Sequence, residues 1–537
     1  MTWTIILAAA YFIVVFWLGY KGWRETRAAS DYMLAGRRMN PFVMAMSYGA
    51  TFISTSAIIG FGGAAGLFGF PLLWLTFLNI FVGIFLAMAF LGKRTRRMGV
   101  ALDAHTFPEL LGQRYKSRFV QGFSGVVIFL FIPVYAAAVL IGISRLLEVK
   151  LGVSFSTSLI FFTAILALYV VTGGLKAVMY TDAFQGSLMF VMMLFLIFFT
   201  YYKLGGITEA HQALSNLAPH MPAKLQAGGM LGWTQGAKPF SPLWLVIYTT
   251  IVYGVGIGVL AQPQLAVRFM TVASDRELNR GVLFGGIFIL AMTGVAFIVG
   301  ALSNVIFFQE MGKVSIVAAG GNMDKIIPLF VSRIMPPWFG VLFLLAMFAA
   351  AMSTLSSQYH VGGTSLGRDF YERGIGVVGG NELTITRIGV GITIVVTLIW
   401  GLALPPSIIA LATAFFFGLC AAAFLPAYLL GLYWRGMTRA GAVVSMVGGF
   451  AVSFFFLLFV HKKEAAALGI CKAVFGVDSL ALLAQKGSAW WLLQYTDPNI
   501  IALPVSFILA VVVSLFTAKM DEDHLKLCWR HLKYQPR

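Results

Sequence analysis

Apolar stretches of about 18 residues or more recur along the whole chain, each long enough to cross a bilayer as a helix. Short segments rich in glycine, proline and basic residues separate them. Hydropathy and length predict about thirteen spans, over 3–20, 41–69, 71–92, 119–146, 154–172, 183–204, 242–263, 281–307, 336–366, 385–404, 406–433, 440–460 and 499–517. Strand-like alternation in ten-residue units is absent, which excludes a membrane β-barrel. The expected class is an all-α integral membrane protein. Two spans are interrupted by glycines: the second holds Gly49, Gly60, Gly62 and Gly63, and the seventh Gly254, Gly256 and Gly258 ahead of Pro263. Broken helices at matching places, five spans apart, are the pattern of inverted repeats around a central site, although glycine is also frequent in membrane helices as a packing residue.

Composition narrows the class. Hydrophobic residues make up 59% of 537 positions and charged residues 11%, which excludes a soluble globular or a disordered chain. The net charge of +18 would suggest nucleic acid in a soluble protein. Here the basic residues gather in short loops, among them Lys21, Arg24, Arg37, Arg38, Lys93, Arg94, Arg96 and Arg97, and so report topology. They place loops 21–40 and 93–118 and the tail after Lys519 in the cytoplasm, with the N-terminus outside, in a plasma (inner) membrane. The segment from Ile5 to Tyr20 lacks a basic leader and a small-residue cleavage site, and is expected as a retained helix. Cys420, Cys471 and Cys528 are expected unpaired. The outer loops 205–241 and 461–498 are expected to carry short helices or lids, with His220 and His461 solvated, and His360 is expected as a satisfied core histidine.

The polar groups left inside the spans limit the chemistry. Few ionisable side chains remain, which disfavours proton pumps and voltage sensors. No nucleophile–base or metal constellation marks an enzyme, no polar stripe marks a channel, and the short tail speaks against a fused signalling module. Near the end of the ninth span the chain reads Ala349-Ala350-Ala351-Met352-Ser353-Thr354-Leu355-Ser356-Ser357. Hydroxyls at i, i+3 and i+4 share a helix face. They serve either as helix–helix glue, bonding to their own carbonyls, or as oxygen ligands for a small hard cation. Asp182, at the expected start of the sixth span, is either a helix-terminal charge or a fixed negative charge beside a cation path. The second span adds Ser47, Thr51, Ser54, Thr55 and Ser56, and amides are few: Asn79, Gln262, Gln264 and Gln358. That inventory is thin for a hexose and suits a small, partly apolar solute, such as a carboxylate held by backbone N–H groups at a broken helix.

Four stretches together resemble the sodium:solute symporter family over nearly the whole chain: Leu34 to Met39 leading into Gly49 to Ser54; Gly173 to Val178 with Thr181, Asp182 and Gln185; Gln262-Pro263-Gln264 with Arg268-Phe269; and Ala350 to Ser357. The resemblance implies two inverted five-helix repeats with discontinuous first helices, over 41–204 and 242–433. Residues 1–40 form a peripheral span and loop, and 440–537 two peripheral spans and a tail. It implies a sodium site from the carbonyls of Ala50, Ile53 and Ala350 and the hydroxyls of Ser353 and Thr354. Asp182, Ser356 and Ser357, sharing Ser353, match the second sodium site of some members, which implies two sodium ions per cycle in place of one. Candidate solute-binding residues are Ser54, Thr55, Val255, Val259 and Gln262. Val255 and Val259 stand where proline-transporting members carry aromatics, and Phe52 replaces an acidic residue of those members. A small organic anion, such as a monocarboxylate or pantothenate, is therefore the expected solute; an amino acid or a sugar, and a transporter-like sensor or channel, are the alternatives. The implied partners are sodium, the solute and the bilayer.

Overall fold

A computed structural model describes residues 2–25, 33–376 and 382–530. The main helices are α1 (Thr2–Glu25), α2 (Pro41–Phe52), α3 (Ser56–Phe68), α4 (Phe70–Ala101), α5 (Phe107–Arg114), α6 (Arg118–Leu151), α7 (Phe155–Lys203), α8 (Pro242–Ala261), α9 (Pro263–Phe269), α10 (Asp275–Met311), α11 (Pro337–Ile375), α12 (Glu382–Ala403), α13 (Ile409–Tyr433), α14 (Arg439–Val460), α15 (Asn499–Phe516) and α16 (Glu522–Cys528). Polar caps set their starts. The Asn40 side chain accepts from Phe42 N ahead of Pro41, Ser154 caps α7, and Ser274 with Glu277 closes a capping box on α10. Gly152 and Gly312 end α6 and α10 in the left-handed region.

Ten helices among the described residues are long and apolar enough to cross a membrane, and eleven when the bent pair α2–α3 is taken as one span. The expected thirteen differ from that count at two places. The first span is α1, with 24 residues. The fifth and sixth fall in one helical element, α7, whose 49 residues are more than twice what a single crossing requires. Within it Leu175–Lys203 is a full span, so Asp182 lies inside a helix and its reading as a terminal charge is corrected. Loop 205–241 carries the short helices Ile207–Asn216 and Ala223–Ala227 with a two-stranded antiparallel sheet, and 461–498 carries Lys462–Leu468 and Ile470–Phe475.

The core is centred on α11, in which every residue from Phe343 to Thr364 is buried. Against it pack α2, α6 and α7, and α1 docks on this group through Tyr11, whose hydroxyl accepts from Gln185 Nε2 at 3.0 Å. The pair α14–α15 flanks α13, with Ser445 and Ser506 hydroxyls 3.0 Å apart. Helices without hydrophobic drive between them associate where small residues let backbones approach. A Cβ on Gly300 of α10 would collide with Gly62 O of α3, and one on Gly449 with Ala422 O of α13.

Both interrupted helices are broken, but the glycines do not make the breaks. The second span bends by 49° between α2 and α3, at Ile53-Ser54-Thr55, with Ile53 extended at φ −92°, ψ 99°. Gly62 and Gly63 lie beyond the bend, where α3 meets α10 and the Met323 backbone. The seventh span breaks at Gln262, φ −74°, ψ 116°, because the ring of Pro263 drives the residue before it out of the helical region.

Candidate functional site

A helix that stops inside a bilayer leaves its last carbonyls without N–H partners, and nothing in hydrocarbon replaces them. At the end of α2 the ladder closes with Ile53 N on Gly49 O at 2.8 Å; the Ala50 and Thr51 carbonyls then turn to α11. Ser353 Oγ donates to Ala50 O at 2.9 Å and lies 3.2 Å from Ala350 O, while Thr354 Oγ1 is 3.3 Å from Ala50 O and 3.2 Å from Thr51 O. Ala50, Ile53, Ala350, Ser353 and Thr354 are all at most 1% exposed. Carbonyl and hydroxyl oxygens alone, at a helix break, form a donor set suited to a hard monovalent cation. Of the expected ligands, Ala50, Ala350, Ser353 and Thr354 meet directly, and Ile53 forms the break beside them.

The second expected cluster also converges, with an addition. Ser356 Oγ and Ser357 Oγ both donate to Ser353 O, at 3.1 and 2.9 Å. Asp182 Oδ2 accepts from Ser47 Oγ at 2.6 Å and lies 3.5 Å from Thr51 Oγ1. Arg268 of α9 stands between these groups: Nη2 lies 3.2 Å from Asp182 Oδ2 and 2.6 Å from Ser357 Oγ, Nε donates to Ser47 Oγ at 2.9 Å, and Nη1 donates to Gln264 O at 2.6 Å. In sequence Arg268 stands out only as part of a motif; 86 residues separate it from Asp182, and no spacing rule joins them.

A small cavity lies beside the break, lined by Phe52, Ser54, Ser56, Asn79, Tyr135, Val255, Thr293, Thr413, Phe417 and further apolar residues. Asn79 Oδ1 is buried with no hydrogen-bond partner among the described residues. Ser54 and Val255 therefore face this cavity. The others point elsewhere: Thr55 Oγ1 donates to Val139 O at 2.6 Å, Val259 is buried against Gly83, and Gln262 Nε2 donates back to Gly258 O at 3.1 Å.

A latch that the sequence did not reveal closes the face bearing the basic loops. Arg368 at the end of α11 binds both oxygens of Glu109, at 3.0 and 3.1 Å, and Asp369 Oδ1 accepts from Thr106 and Gln121 at 2.7 and 2.9 Å. Burial pushes the Glu109 carboxyl up, but bonds from His105 and the Arg368 guanidinium outweigh it and hold it at about 2, below the ordinary 4.5. A depressed folded value means that this pair stabilises the fold above the ordinary value, and the contribution is lost as pH falls from 4.5 toward 2. Glu109→Gln is expected to cost about 3 kcal/mol at neutral pH, since the buried guanidinium loses its carboxylate. Denaturation in detergent at several pH values checks this: the gap to wild type should narrow as pH falls through that window, and a pH-independent gap would contradict it. On the opposite face, His461 is 3% exposed and paired with Glu464, which corrects its expected solvation. His220 is exposed, with its ring 4.4 Å from that of Phe308, and His360 is buried as expected. All three cysteines are free and buried.

The family model described as sodium:solute symporter family matches residues 32–449. A sodium/pantothenate symporter of Haemophilus influenzae is 29% identical over 422 residues, covering 78% of this chain and 82% of that protein. A sodium/proline symporter of Staphylococcus aureus is 29% identical over 464 residues, covering 83% and 84%. Among solved structures, the substrate-bound, outward-open state of a Na+-coupled sialic acid symporter superposes with a TM-score of 0.73 at 17% identity, covering 96% of this chain and 98% of that one. At that identity the likeness shows the fold.

Proposed function

The chain belongs to the sodium:solute symporter family, and we propose that it imports a small organic solute with sodium by alternating access around the break between α2 and α3. The chain is thus a transporter and not an enzyme. The observation that carries the reading is the meeting of the Ala50 and Thr51 carbonyls, left over by the broken helix, with the Ser353 and Thr354 hydroxyls of α11. Sodium placed among Ala50, Ile53, Ala350, Ser353 and Thr354 is the ion that drives the cycle. An uncharged oxygen set binds it weakly enough for release on the far side. The repeats 41–204 and 242–433 form the moving core, and the N-terminus and the face opposite the basic loops lie outside.

The cavity beside the break supports the solute class. Phe52, Tyr135 and Phe417 supply apolar walls; of the polar lining, Ser56 and Thr413 bond each other and Thr293 bonds Ile289 O, which leaves Ser54 and Asn79 for a solute with one polar end and an apolar body. Ser56 and Ala57 at the start of α3 line the same cavity, and a helix start is a favourable place for a carboxylate. A small organic anion, a monocarboxylate or a pantothenate-like acid, matches the chemistry of both. The names of the pantothenate-transporting relatives support this reading; the proline-transporting relatives make an amino acid the second class to assay. The test is purified protein in liposomes, offered labelled carboxylates, amino acids and sugars under an imposed sodium gradient. Carboxylate uptake should rise with the gradient and collapse with it. Uptake of every solute indifferent to sodium would end the proposal.

A further inference from the structure

The Asp182 cluster contains its own cation. Asp182 is fully buried and Arg268 is 1% exposed; the guanidinium bonds Asp182 Oδ2, Ser357 Oγ, Ser47 Oγ and Gln264 O at 2.6–3.2 Å. Each of its three nitrogens therefore has a partner, as a charge at membrane depth requires. Arg268 also holds two of the side chains that a second sodium ion would need. Ser357 Oγ is engaged with Thr51 Oγ1 at 3.1 Å as well as with the guanidinium, and Ser356 is turned to Ser353 O. The charge balance is decisive. One carboxylate neutralises one cation, and a sodium ion bound beside Arg268 would leave the cluster with a net buried positive charge, which is costly without a counter-ion. An arginine cannot relieve this by losing its proton.

We infer that Arg268 is a tethered cation that holds the Asp182–Ser357 position in place of a second sodium ion, so that the protein couples solute to one sodium ion per cycle. The inference rests on the reading of the Ala50–Ser353–Thr354 cluster as the driving sodium site. It makes Arg268 a determinant of ion stoichiometry, and it exchanges the expected second metal site for a fixed charge. Removing the guanidinium while keeping Asp182 recreates the vacancy: a free carboxylate with Ser353, Ser356 and Ser357 alongside, which is an oxygen set for sodium.

The experiment measures labelled-sodium binding per chain on purified protein for wild type, Arg268→Gln, and the double variant Asp182→Asn with Arg268→Gln. Wild type should bind one ion, Arg268→Gln two, and the double variant one. The extra ion in Arg268→Gln should also appear as a larger sodium-dependent rise in thermal stability than wild type shows. Two ions on wild type, falling to one in the double variant, would overturn the inference, as would a single ion on Arg268→Gln. If Arg268→Gln does not fold, wild type against the double variant still decides: equal binding shows that Asp182 holds no sodium in the native protein, and a loss of one ion shows that it does. Absence of sodium binding in all three would instead strike the driving site, a distinguishable failure.

Discussion

Replacing Ser353 and Thr354 together by alanine is expected to weaken sodium affinity by at least about 100-fold, and sodium-driven uptake with it. Hydrogen bonds and ion–dipole contacts that involve a charge contribute about 1.5–3 kcal/mol each, and two hydroxyls leave together. The variant also strands the Ala50 and Thr51 carbonyls, which receive the two hydroxyls at 2.9–3.3 Å. The chain break in α2 therefore loses its only described side-chain donors, at a cost of about 1–3 kcal/mol for each buried acceptor. Sodium titration of initial uptake in proteoliposomes, alongside thermal unfolding in detergent, separates the two effects. Valine at Thr354 preserves volume while removing the hydroxyl, so it should weaken sodium affinity with a smaller packing disturbance. Native sodium dependence in the double alanine variant would remove the cluster from the transport mechanism.

Asp182→Asn alone is expected to destabilise the protein by about 3–5 kcal/mol, because it leaves the Arg268 guanidinium buried without its carboxylate. Adding Arg268→Gln should recover most of that loss. Both side chains are almost wholly out of solvent, so little screening dilutes the effect. The recovery is the informative part. A buried pair adds little net stability over a neutral pair, yet breaking it from one side is expensive. Equilibrium denaturation of wild type, both single variants and the double variant forms the cycle. Additive losses would show that the two charges do not neutralise each other in the folded protein.

The features legible in sequence and those that were not divide along physical lines. Span positions follow from hydropathy because burial in lipid demands it residue by residue. The break before Pro263 follows from local sterics. The break at Ile53-Ser54-Thr55 has no such local sign: its glycines flank the bend and serve helix contact, as Gly62 does against Gly300. Asp182 reads as a helix start because Gly173-Gly174 and Lys176 lower the hydropathy ahead of it, whereas the helix runs on through them. The serine cluster has two readings in sequence, and the structure explains why both have substance. Ser356 and Ser357 back-bond to Ser353 O, while Ser353 and Thr354 reach another helix's orphaned carbonyls. The Arg268–Asp182 and Arg368–Glu109 pairs join distant segments, so only the fold reveals them. The burial of His461 is likewise a property of the fold: its pocket is shared by Thr250 of α8, Phe415 of α13 and Leu457 of α14.

A resident guanidinium neutralises Asp182 without itself crossing the membrane, and so it contributes nothing to the work of accumulation. With one sodium ion carried, a tenfold sodium gradient and a 100 mV potential together limit a neutral solute to about 500-fold enrichment. A monoanion crosses with its sodium as a neutral pair, loses the potential term, and is limited to about tenfold. Arg268 would thereby set how steep a concentration difference the cell can maintain, and for an acid it would leave that ceiling indifferent to the state of charge of the membrane.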